Sequence, residues 1–146
     1  MPIMVNIQFE QVTPFVLNRA ALQQWVSRVA ELHGCATGTL TYVFCNDTYI
    51  LDVNRQFLGH DYFTDIITFD YSTARRIAGD MVISVDTVRS NAEMLHIAYE
   101  QELRRVIIHG VLHLCGINDK GPGEREIMEH HENDALRICP DNLLTT

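Results

Sequence analysis

The chain has 146 residues, 47% hydrophobic and 21% charged, an ordinary globular mixture that excludes a disordered or low-complexity protein. Its formal net charge of −8 argues against binding nucleic acid by charge alone, because that mode needs cations to displace counterions. No apolar run is long enough to span a membrane and MPIMVNIQFE does not read as a signal peptide, so the expectation is one cytoplasmic domain covering residues 1–146.

Ile3 to Glu10, IMVNIQFE, alternates in the strand period. Phe15, Leu22, Trp25, Val26 and Val29 recur at helical spacing and predict a helix from Phe15 to Leu32, with Pro14 opening it and Gly34 just past its end. Thr39 to Cys45, TLTYVFC, is β-rich and reads as a partly buried strand. Asn46-Asp47 caps a helix that runs to about Leu58, where Gly59 breaks it. DIITFDY, Asp65 to Tyr71, and GDMVIS, Gly79 to Ser84, are two strands joined closely enough to form a hairpin.

A helical region follows from about Asp86 to Cys115, with room for a break near Tyr99, and Gly116 ends it. After the loop Gly121-Pro122-Gly123, a last helix runs from Glu124 to about Ile138 with acidic residues in its first turn. The order β-α-β-α-β-β-α-α predicts an α+β (or α/β) fold: a mixed four-stranded sheet packed with helices in a single layered domain.

Cys35, Cys45, Cys115 and Cys139 form no C-x-x-C pair and read as reduced thiols rather than a disulfide framework or a four-cysteine zinc site. Ten of the eleven cations are arginines; the one lysine is Lys120. Arg75, Arg76, Arg104 and Arg105 would form a basic surface if their loop and helix meet.

The stretch HGVLHLCGINDK, His109 to Lys120, carries the chemistry. Residues four apart on a helix share a face, so His109 and His113 can bind one ion together. Gly116 stops the helix, and Asp119 can fold back to complete a ligand set. Cys115 points to the opposite face and packs as a small apolar group. Three protein ligands leave a fourth position open, as in catalytic zinc sites. Two buried core histidines and a turn aspartate would give the same letters. A metalloprotease of this type carries glutamate directly after the first histidine, as H-E-x-x-H, but position 110 is glycine. Gly110 also removes side-chain bulk beside the expected metal, which leaves room for a large substrate or for another backbone. His130 and His131 diverge on their helix between Glu129 and Glu132, which reads as a solvated face with no site.

HGVLHLCG resembles the signature HGxLHLxG of the YbeY family of metal-dependent endoribonucleases. GHDYFTDIITFDY is similar to the family segment G-x-D-x-P-T-[DN]-V-L-S-F, carried by Gly59, Asp61, Thr64, Asp65, Ile66, Ile67, Thr68 and Phe69. GDMVIS resembles its GD-[LI]-x-I-S strand at Gly79, Asp80, Ile83 and Ser84. The likeness runs in order from about Val53 to Asp119. It implies a zinc-dependent, single-strand-specific endoribonuclease of ribosomal RNA processing and ribosome maturation. One zinc per chain would be held by His109, His113 and Asp119, with other divalent ions able to substitute. The implied partners are a ribosomal RNA precursor and ribosomal or assembly proteins; neither membrane nor DNA is expected.

Two positions depart from the family pattern. The motif usually continues G-Y-D-H with histidine as third ligand, where this chain has Asp119. Two histidines and a carboxylate remain a known catalytic zinc set; the lower net charge makes bound water less acidic and favours harder ions such as manganese. The family arginine before G-x-D, thought to act on the phosphate, is Leu58 here, and Arg55, one helical turn earlier, is the candidate catalytic stand-in. The alternatives are a non-catalytic ribosome-assembly factor with a metal site and, ranked lower, a metalloprotease-like hydrolase.

Overall fold

The computed structural model describes residues 4–144. The elements are β1 (Met4–Glu10), α1 (Arg19–Leu32), β2 (Ala36–Cys45), α2 (Asp47–Val53) running into a π-helical turn (Asn54–Leu58), β3 (Ile66–Asp70), β4 (Arg76–Ser84), α3 (Val85–Leu95), α4 (Tyr99–Leu114) and α5 (Glu124–Arg137). Ile3, the expected start of the first strand, and the ends of the 1–146 domain lie outside the described residues.

The sheet is mixed and four-stranded, in the order β1-β2-β4-β3. β1, β2 and β4 are parallel neighbours, and β3 pairs antiparallel with β4, which is the expected hairpin. Strand alternation sorts the side chains between two faces. Leu40, Tyr42, Phe44, Met81 and Ile83 join the large core under the helices, whereas Cys45, Ile67 and Val82 pack with Ile50 of α2 in a smaller cluster.

Several boundaries differ from the sequence expectation; β2 starts at Ala36 rather than Thr39, and two further shifts have local reasons. α1 starts at Arg19 because Asn18 caps it, its side-chain oxygen accepting from the Ala21 N–H at 3.0 Å. Phe15 instead meets Phe9 and Phe44 edge-on, with ring centroids 5.0 Å away in each case. β4 starts at Arg76 rather than Gly79 because Arg76 and Ile77 pair with Ala36 and Thr37 at the other end of β2. The long helical region breaks near Tyr99, as expected: His96, in the left-handed conformation at φ 57°, closes α3, and α4 starts at Tyr99.

α4 is buried along most of its circumference, through Leu103, Val106, Ile107, Ile108, Val111, Leu112 and Leu114. A helix so enclosed must approach the sheet closely, and Gly110 permits it. A Cβ there would lie 2.8 Å from Met81 Sδ and 3.0 Å from Ile66 Cδ1. The bare face of Gly110 therefore meets the sheet, so the room it leaves is taken by the neighbouring layer of the protein and not by a substrate. Buried polar groups tie the layers: Trp25 Nε1 donates to the Ala135 carbonyl at 2.9 Å and the Tyr42 hydroxyl to the Ile107 carbonyl at 3.2 Å.

Candidate metal centre

His109 and His113 face the same way on the last turns of α4, with ring centroids 4.7 Å apart. The helix then closes on Gly116, at φ 97°, while the Ile117 N–H reaches back to the Leu112 carbonyl at 3.1 Å. That reversal returns Asp119 to the helix end. Its two oxygens each face one imidazole: Oδ2 lies 3.4 Å from His109 Nε2, and Oδ1 lies 3.4 Å from His113 Nε2.

One donor atom from each of the three residues lies within 4.8 Å of the others, and Asp119 Oδ1 is buried with no hydrogen-bond partner. Donors on a tetrahedral ion at roughly 2.1 Å stand about 3.4 Å apart, so the spacing suits a small divalent cation, which would satisfy that oxygen.

Behind the triad, Glu132 Oε2 accepts from His109 Nδ1 at 2.6 Å, leaving Nε2 to present its lone pair toward Asp119. Arg105 holds the other Glu132 oxygen at 2.9 Å and Asn133 Oδ1 at 3.1 Å, and lies 3.9 Å from Glu102. Burial opposes a charge on His109. The Glu132 hydrogen bond and the carboxylates of Glu132, Asp119 and Asp65 outweigh it and lift His109 above the ordinary imidazole value. Burial, reinforced by the neighbouring His109, lowers His113. Asp65, which accepts from Asn91 at 3.2 Å, and Glu102 are both raised chiefly by burial. A buried carboxyl raised in this way can give a proton to a leaving oxygen.

Two cavities meet at the triad. One of about 440 Å³ opens between α4 and the segment from Asn54 to Asp70, and the other, of about 730 Å³, opens toward α3 and α5. Asp65, His109, Asp119 and Lys120 line both.

A family model described as Endoribonuclease YbeY matches residues 6–139. The chain belongs to the YbeY family. It is 60% identical over 125 residues to an endoribonuclease YbeY of Parabacteroides distasonis, covering 86% of this chain and 88% of that protein. It is 56% identical to an endoribonuclease YbeY of Phocaeicola vulgatus, covering 92% and 98%. The solution structure of TM1509 from Thermotoga maritima shares the fold, with a TM-score of 0.61 and 22% identity over 92% of this chain and 90% of that one.

In this YbeY-family chain, His109, His113 and Asp119 come together, and Arg55 lies apart from them. Leu58 lines the smaller cavity; Arg55 is exposed, pairs with Asp61 and is not among the lining residues. The π turn changes the residue spacing on which the shared-face expectation rests. Of the four arginines that would make a basic surface if their loop and helix met, Arg105 is turned inward onto Glu132. Cys115 packs against the large core beside Cys35, its thiol pushed up to about 12 by burial, and all four cysteines are free.

His130 pairs with Asp134 at 3.3 Å, and His131 meets the His33 ring edge-on at 4.8 Å, both apart from the triad. The reading of Glu132 as part of a solvated face needs correction: it is 7% exposed and holds His109. Met128, Glu132 and Ala135 are the buried positions of α5, four and three residues apart. A carboxylate on that stripe must find a buried partner, and this was the available signal.

Proposed function

We propose that this chain is an endoribonuclease that binds one zinc ion through His109, His113 and Asp119 and cuts single-stranded ribosomal RNA precursors in the cytoplasm during ribosome maturation. The observation that carries the reading is the placement of the three donors where two cavities meet. A cut inside a chain needs room for substrate on both sides of the bond. Family membership and the endoribonuclease relatives support the same chemistry.

When bound, the ion supplies a Lewis acid for the phosphate oxygens and makes water a better nucleophile near neutral pH. The chain's own groups do the rest. Glu132 holds the Nδ1 proton of His109 and fixes its ring. Lys120 places a cation beside both cavities, where a substrate phosphate passes. Arg55 stands in for the family arginine: its exposed pairing with Asp61 is weakly held, so the guanidinium can exchange that carboxylate for a phosphate. Asp119 leaves the site one charge more negative than three histidines, so manganese competes better with zinc.

A second reading, a non-catalytic assembly factor, is favoured by Leu58 lining the cavity where the family carries arginine. Cleavage of a labelled single-stranded RNA, followed with and without chelator, separates the two. The expected result is chelator-sensitive cutting that His113→Ala abolishes. Asp119→Ala should lose most of its zinc by metal analysis while Asp119→His keeps it. Equal cleavage by wild type and His113→Ala would assign the cutting to a contaminant and leave the assembly-factor reading.

A further inference from the structure

We propose that His60 and Tyr62 form a stacking platform for the unpaired bases of an RNA strand entering the smaller cavity. The inference rests on the RNA reading above and adds how the strand is gripped.

The rings are already arranged for this. His60 and Tyr62 are stacked, with centroids 5.2 Å apart and planes 19° from parallel, and the Tyr62 hydroxyl lies 2.9 Å from His60 Nδ1. Both line the cavity that contains His113 and Asp119. The loop is held from beneath by Asn54, which is 1% exposed. Its carbonyl accepts from the His60 N–H at 3.1 Å, and its side-chain amide donates to the Tyr62 carbonyl at 2.9 Å. The platform is therefore fixed before any ligand arrives. Nevertheless Tyr62 remains 53% exposed. Rings held in place yet uncovered keep apolar surface in water, and a flat ligand would remove it.

Charge selects the occupant. The protein is at −8, and among the described residues Lys120 is the only Lys or Arg lining this cavity. One lining cation gives few phosphate contacts, so the grip needs another source. Stacking does not depend on charge and accepts any base, because every base has a π-face. It also requires an unpaired base, since the faces within a duplex are already covered. The platform is continuous with the proposed cutting site, so bases held there place their own backbone next to the triad.

Fluorescence anisotropy with a labelled single-stranded 12-mer RNA tests this in EDTA, where cutting is suppressed. Tyr62→Ala should weaken binding about 5- to 150-fold, the range for one stacked base, with little dependence on base identity. Tyr62→Phe should stay close to wild type, and Tyr62→Leu should behave like Tyr62→Ala. Emission from Tyr62→Trp should be quenched when RNA is added, against a constant background from Trp25, which is fully buried. A duplex of the same sequence should compete poorly. Zinc content and melting temperature of each variant check that the centre and fold are intact.

If wild type cuts and binds RNA but Tyr62→Ala binds equally well, or Tyr62→Leu restores wild-type affinity, stacking is overturned while the nuclease reading stands; the exposed rings would then serve a protein partner. If wild type neither binds nor cuts RNA, the functional reading falls and this inference falls with it.

Discussion

Glu132 shows how one side chain governs a ligand it does not replace. Its carboxylate accepts a hydrogen bond from His109 Nδ1 at 2.6 Å and is itself held by Arg105 at 2.9 Å. Each group fixes the next, so the imidazole reaches the centre in one tautomer and one orientation. Glu132→Gln keeps an oxygen near His109 but removes the negative charge that supports the ring's basicity. Zinc affinity should fall by on the order of 10-fold, read by competition with a chromogenic chelator. An unchanged affinity would mean that Asp119 and the backbone alone orient His109.

At the scale of elements, the central relation is α4 against the sheet. The helix carries both histidines, and its distance from β3 and β4 is set where Gly110 meets Met81 and Ile66. Gly110→Ala pits two effects against each other. Alanine improves helix propensity by roughly 1 kcal/mol. Overpacking a closed contact costs about 1–3 kcal/mol, and a Cβ at 2.8 Å from Met81 Sδ forces a shift. The expected net result is a stability loss of up to about 2 kcal/mol in denaturant titration; a variant more stable than wild type would show that Met81 yields freely. The π turn is the second element-scale feature. It leads directly into Gly59, at φ 66°, and the loop that presents His60 and Tyr62.

For the whole molecule, the two clusters on opposite sheet faces bury groups that resist ionisation. Cys45 is fully buried in the smaller cluster, and burial pushes its thiol up to about 12. Tyr42, buried in the large core, is raised strongly for the same reason. In both, the neutral form is the one the fold accepts, so the folded value lies above the unfolded one. Their stabilising effect is complete below about pH 9, the ordinary thiol range, and is lost as pH rises through the folded values. Thermal melts should show this loss setting in above about pH 8.5, with Cys45 silent to a thiol reagent at pH 8 until denaturant is added. Rapid native labelling of Cys45 would contradict its burial.

The periodicities of the strands and helices specified the mixed sheet, and the turn from Asp65 to Ser84 specified its hairpin, because side-chain alternation and short connections are local. The spacing of His109 and His113, with Gly116 after them, likewise made the paired imidazoles legible, since helix geometry fixes which residues share a face. Glu132 and Asn54 were not legible as partners of His109 and the rim loop. Glu132 lies 23 residues from His109, and the tie exists only once α5 packs on α4. Phe15 read as helical until Asn18 took the cap, and Gly110 read as space beside a metal until the sheet filled it. Sequence by itself determined the elements and the two histidines through short-range geometry. Tertiary packing decided which distant carboxylate supports them, which face of α4 is closed and which rings stay uncovered, because those depend on surfaces that meet only in the folded chain.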